Sequence, residues 1–167
     1  MAEPLQPATF QIEKLYVKDL SLEIPNAPQI FMNQAAPELE VRIDSGATPF
    51  AEGYFEVTVT ATVTARAGEK TLFLAEAVQA GIFQLRNVPT AELGPLLGIA
   101  CPTILYPYLR EAISDVVTRG GFPPVLLTPV SFESLYVQRM QNQAGAPGAT
   151  PGGGAGGGEG PRIEVAR

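Results

Sequence analysis

The sequence predicts an α+β fold: a four-stranded antiparallel sheet with helices packed on one face. Three observations carry this. Four segments before residue 86 alternate apolar and polar residues, the period of a strand. One of them sets threonine along almost a whole face, which suits solvent and leaves the helices to the other face. Beyond residue 90 the apolar spacing changes to that of helices.

The first strand covers residues 10–24. Its even positions Phe10, Ile12, Tyr16, Leu20, Leu22 and Ile24 are apolar, and odd positions such as Gln11, Asp19 and Glu23 are polar. Leu15 and Val17 break the pattern. Pro25 and Pro28 end the strand, because proline donates no ladder hydrogen bond. Residues 25–37 form a long loop carrying Ile30, Phe31 and Met32. These side chains either dock on the body or line a binding surface.

In the second strand, Leu39, Val41 and Ile43 alternate with Glu38, Glu40, Arg42 and Asp44. The third is the clearest: Phe55, Val57, Val59, Ala61, Val63 and Ala65 alternate with Glu56, Thr58, Thr60, Thr62, Thr64 and Arg66. The link through Gly68 reads as a hairpin turn into a fourth strand over residues 71–85. Joined in sequence order, these four strands give an antiparallel sheet with one free face.

Thr90 is placed to cap a short helix that Gly98 closes. A longer helix lies between Pro102 and Thr118, with an apolar stripe through Leu105, Leu109, Ile113 and Val117. Pro107 sits in its first turn or kinks it. Gly120 and Gly121 end it. An extended link from Phe122 then leads to a last helix, capped by Thr128 or Ser131 and bearing Phe132, Leu135, Tyr136 and Met140.

The chain has 167 residues, of which 46% are hydrophobic. Residues 1–143 suffice for one domain and one core. Residues 144–167 hold nine of the 17 glycines and are expected to form a disordered tail. The chain has no histidine and a single cysteine, Cys101. This removes the commonest general base and the commonest metal ligands together. No phosphate-binding loop pattern occurs. The expectation is a protein that is not an enzyme and carries no metal or cofactor. The net charge of −6 repels a phosphate backbone, so nucleic acid is an unsuitable partner. It either steers basic partners or merely keeps the chain soluble. No apolar run reaches 18 residues and no secretory signal is visible, which predicts a cytoplasmic protein without membrane insertion.

Three stretches resemble one known family, in its order and spacing: YVKDLSLEIPNAPQIF from Tyr16, FLAEAVQAGIF from Phe73, and the proline-rich run from Cys101 to Tyr136. The family is that of the SecB protein-export chaperones, and the resemblance covers roughly residues 10–143. It implies a SecB-like chaperone domain that binds unfolded precursors without ATP and hands them to the SecA translocase motor. It also implies a homotetramer built as a dimer of dimers. By resemblance, Asp19, Glu23, Leu74 and Glu76 bind SecA. Pro28, Ile30, Phe31, Met32, Phe122, Phe132, Leu135 and Tyr136 line the client groove. Ala75, Ala77 and Gln79 belong to the joint between dimers, where the two alanines replace larger family residues. On the residues alone, the aromatics read first as ordinary core and the acids as a solvated face. A SecB-like chaperone dedicated to a toxin–antitoxin system is the alternative.

Overall fold

The computed structural model describes residues 6–145 and the backbone of Arg162–Ile163. Four long strands, β1 (Thr9–Glu23), β2 (Glu38–Ala51), β3 (Tyr54–Ala67) and β4 (Lys70–Arg86), precede three helices, α1 (Thr90–Pro95), α2 (Cys101–Arg119) and α3 (Phe132–Ala144). A two-residue strand, β5 (Arg162–Ile163), completes the element order. The expected disordered tail falls mostly outside the described residues. Of the rest, Ala144 closes α3 and β5 pairs with β2.

All pairings are antiparallel, and the strands lie in the order β1-β4-β3-β2-β5. Tight links join β2, β3 and β4 as successive hairpins. β1 departs from simple succession: it pairs with β4, from Thr9 opposite Arg86 to Glu23 opposite Leu74. The proline-rich connection after β1 is far too long for a hairpin and carries the chain across the sheet, as in a Greek key.

β1 also departs from strict alternation. Its register slips between Ile12 and Lys14 and again between Val17 and Asp19. Each slip is a β-bulge, and each inserts one residue and reverses the phase. Leu15 and Val17 therefore share the helix side with Phe10, Ile12, Leu20 and Leu22. Tyr16, expected on that side, stands on the open face opposite Ala80.

The helix side of β3 and β4 is lined by buried Val57, Val59, Ala61, Val63, Ala65, Phe73, Ala75, Ala77 and Phe83. α2 lays Leu105, Leu109, Ile113 and Val117 on it, all fully buried. Burying each such side chain stabilises the fold by about 1.5–3 kcal/mol. The alanines let the helix approach closely.

Gly98 does not end a helix. The chain runs on from α1 through a wider π-type turn, Leu96–Ala100, directly into α2. Pro102 has no N–H to continue the regular ladder, so the turn just before it is where the helix widens. Thr90 caps nothing; Pro89 takes the cap position of α1. Gly121 closes α2 in a left-handed conformation, φ +86°, with its N–H donating to the Thr118 carbonyl at 3.0 Å. Of the two proposed caps, Ser131 serves: its hydroxyl accepts the Ser134 N–H at 3.2 Å.

Candidate functional site

The loop after β1 folds into a single 3-10 turn, Gln29–Met32. The Asn26 carbonyl accepts the Ile30 N–H at 2.9 Å, and the Pro28 carbonyl accepts the Phe31 N–H at 3.2 Å. Ile30 sinks into the core at 4% exposure and anchors the turn. Its neighbour Phe31 stays 49% exposed and faces the link after α2. There the Phe31 and Phe122 rings lie 5.2 Å apart, and Phe122 packs in turn on Phe73 at 4.9 Å, both pairs tilted. Ring contacts at these distances are attractive beyond their area. Phe122 thus ties the β1 loop to the sheet.

These rings wall an open cavity of about 330 Å³, continued by Leu39, Leu72, Gly121, Pro123 and Pro124. The two prolines hold the link extended and leave a groove rather than a helix at this point. Its lining offers mainly apolar contact and few fixed polar partners, an arrangement suited to varied apolar segments.

The structure gathers Ile30, Phe31 and Phe122 at the groove. Met32 lies beside it on the surface, 85% exposed, and Pro28 supports the turn without lining the cavity. Phe132, Leu135 and Tyr136 are placed elsewhere, because the extended link carries α3 away from the groove. Phe132 is buried edge-on to Tyr106, 5.6 Å away, and the Tyr106 hydroxyl donates to the Thr128 carbonyl at 2.5 Å. Leu135 packs half-buried on the core. Tyr136 lies over Gly94 and Gly98, where a Cβ at Gly98 would come within 2.5 Å of the ring. Arg139 ties α3 to β2, donating to the Asp44 carboxylate at 2.8 Å and the Ser45 carbonyl at 3.1 Å. These three apolar residues therefore fasten α3 to the body and do not form this groove wall.

A second feature lies on the open face of the sheet. Asp19, Ser21 and Glu23 oppose Val78, Glu76 and Leu74 in register. Glu76 is therefore diagonal to both Asp19 and Glu23, at about 7–8 Å. Leu74 sits among them, so the four expected residues do share one patch. Among the described residues, none of these three acids has an ion-pair partner. Glu76 accepts a hydrogen bond from Thr62 at 3.0 Å, which fixes its carboxylate.

Farther along the same face, Lys18 reaches Glu56 at 2.8 Å and Tyr16 donates a short hydrogen bond to the same carboxylate. Lys18, then Tyr16, hold the Glu56 carboxyl below its usual range. The bond to Glu56, with some burial and the carboxylate's charge, pushes the Tyr16 phenol up to about 12. Strict alternation hides this cluster, because only the bulges turn Tyr16 outward. The misfit of Leu15 and Val17 was its signal.

Ala75, Ala77 and Gln79 are buried within the protomer, at 0%, 1% and 4% exposure. They belong to the β4 face that α2 covers. Within the protomer they expose almost no surface of their own. Burial pushes the Cys101 thiol up to about 12, so it stays protonated and packs as a small apolar group. Among the described residues there is no cluster of three metal-ligating side chains, and no helix is long and apolar enough to cross a membrane.

This architecture agrees with known proteins. The family model described as preprotein translocase subunit SecB matches residues 3–143. The protein-export protein SecB of Chromobacterium violaceum is 58% identical over 144 residues, 86% of this chain and 95% of that protein. Its namesake in Methylobacillus flagellatus is 58% identical over 149 residues, 89% of this chain and 94% of that protein. That of Neisseria meningitidis serogroup B is 56% identical over 145 residues, 86% and 98% of the two chains. Among solved structures, a Mycobacterium tuberculosis SecB-like chaperone in complex with an antitoxin peptide superposes with a TM-score of 0.60. It covers 72% of this chain and 90% of that one, at 17% identity, which speaks to the fold alone. A family model spanning the whole sheet-and-helix body, together with relatives at this identity, shows that the chain belongs to the SecB family of protein-export chaperones.

Proposed function

We propose that this protein is an ATP-independent cytoplasmic chaperone that holds unfolded preproteins in an export-competent state and delivers them to SecA. The observation that carries the reading is the open Phe31–Phe122–Phe73 groove. Its walls are preorganised, so capture of an extended apolar segment costs little ordering on the chaperone's side. The segment binds by burial alone, which is tolerant of sequence and reversible. No bond is made or broken.

In this reading Asp19, Glu23, Leu74 and Glu76 form the SecA-binding patch. A solvated acidic cluster attracts a basic partner, and its pull weakens with salt over a Debye length of about 10 Å at 0.1 M. A homotetramer, arranged as a dimer of dimers, accounts for the apolar surface the protomer leaves uncovered. Phe10, Ile12, Val17 and Leu20 on the helix side of β1 remain 40–50% exposed, and Leu126 on the link after α2 is 75% exposed. The free, buried Cys101 fits a reducing compartment. The relatives at 54–58% identity carry the export name, which favours export over a dedicated toxin–antitoxin role.

The test is calorimetric titration of SecA with the wild type and with Asp19→Lys/Glu76→Lys. The wild type is expected to bind at low salt and more weakly at high salt. The double variant is expected to lose SecA while keeping its melting temperature, since exposed charges contribute little to folding. Equal SecA affinity of the two proteins would refute the acidic patch as the docking site.

A further inference from the structure

A sheet edge presents a row of unpaired N–H and C=O groups and is a template for any extended chain. This sheet has two edges of different character. The β1 edge carries two bulges, which interrupt regular pairing. The β2 edge holds its register with β3 from Glu38 to Pro49 and slips only beyond it. On that regular stretch β5 is paired, with Ile163 opposite Val41 and Arg162 opposite Arg42. Leu39, two residues before Val41, lines the apolar groove. The groove and the β2 edge are thus one continuous track.

We propose that the β2 edge around Val41 is a strand-addition site closed by the chain's own Arg162–Ile163 segment, a strap that an extended client must displace to pair there. Three features support it. Register sets Ile163 opposite Val41, which is itself 3% exposed. Arg139 fixes α3 at Asp44 and Ser45, which brings the root of the C-terminal segment to the same strand. About 16 residues separate Gly145 from Arg162, and a chain of that length reaches at most roughly 55 Å, so tethering is covalently easy and raises the local concentration. The strap is also short, with only Arg162 and Ile163 in the pairing. Such a strap closes the edge against casual association yet yields to a longer partner. Backbone pairing supplies affinity without reading sequence, and side-chain pockets in the groove add to it.

The competition rests on the client-holding reading; the strap itself does not. The test uses the full chain and Ile163→Pro, whose ring removes the N–H needed for the ladder. Amide hydrogen exchange over residues 39–44 is measured without client. Faster exchange in Ile163→Pro, slowed again by a peptide of the sequence 160–167 but not by its scrambled form, is expected. Equal exchange in the two proteins would overturn the strap. Affinity for a permanently unfolded polypeptide is then measured. A strap docked for half to nine-tenths of the time weakens client binding about twofold to tenfold, so Ile163→Pro should bind tighter by that factor. Faster exchange with unchanged client affinity would overturn the shared edge. Absence of client binding by both proteins would refute the chaperone reading and the competition, while exchange still decides the strap.

Discussion

Phe31 and Phe132 are both aromatic residues expected at the groove, and the structure assigns them opposite consequences. Phe31 is 49% exposed, so about half of its surface remains for a client to cover. Full burial of such a side chain is worth about 1.5–3 kcal/mol, so the uncovered half is worth about 0.8–1.5 kcal/mol. At 1.4 kcal/mol per decade, Phe31→Ala should weaken client binding about threefold to tenfold. The half already covered, on Phe122, should cost the fold a similar 0.8–1.5 kcal/mol. Phe132 is 3% exposed and packed edge-on against Tyr106. Phe132→Ala should cost the fold about 3–5 kcal/mol and leave binding per folded molecule unchanged. Urea unfolding measures the first quantity. Fluorescence titration with a reduced, unfolded client measures the second, normalised to folded protein. If Phe31→Ala binds as tightly as wild type, or if Phe132→Ala loses affinity beyond its unfolded fraction, the assignment of groove and core is wrong.

The Tyr16 phenol should titrate near pH 12 by ultraviolet absorbance, and Glu56→Gln should move it down toward 10. A raised pKa favours the protonated form in the folded state, so this contribution is complete below pH 10 and is lost as pH rises through about 12; an unchanged titration in Glu56→Gln would contradict the bond. Gly98→Ala sets a methyl group against the Tyr136 ring and should cost about 1–3 kcal/mol in a urea melt. In a Tyr136→Ala background the same change should cost much less, and full additivity would exclude the contact.

Much of the body is legible in the sequence, for reasons particular residues show. β3 reads directly because Val57 to Ala65 face the core and the threonines face solvent without interruption. β1 reads as a strand but not in phase. Its two bulges are set by pairing with β4, a partner more than fifty residues away, and local pattern carries no record of that partner. Strand order is hidden for the same reason, since the long loop fixes no destination. Gly98 looks like a helix stop, yet its missing Cβ makes room for Tyr136 from a distant helix. At the site, Phe31 and Phe122 are legible as apolar residues in irregular segments. The path of α3 is not, because Arg139 and Tyr136 fix it through contacts with β2 and the π-type turn.

Reversible holding of an unfolded chain without nucleotide is the central claim, and refolding kinetics test it most directly. A preprotein unfolded in urea is diluted into buffer containing increasing amounts of the chaperone and no ATP. Only the free client folds, so the observed rate should fall with chaperone concentration in proportion to the free fraction, and full client activity should be recovered at the end. A refolding rate unchanged by chaperone well above micromolar concentration would contradict the account.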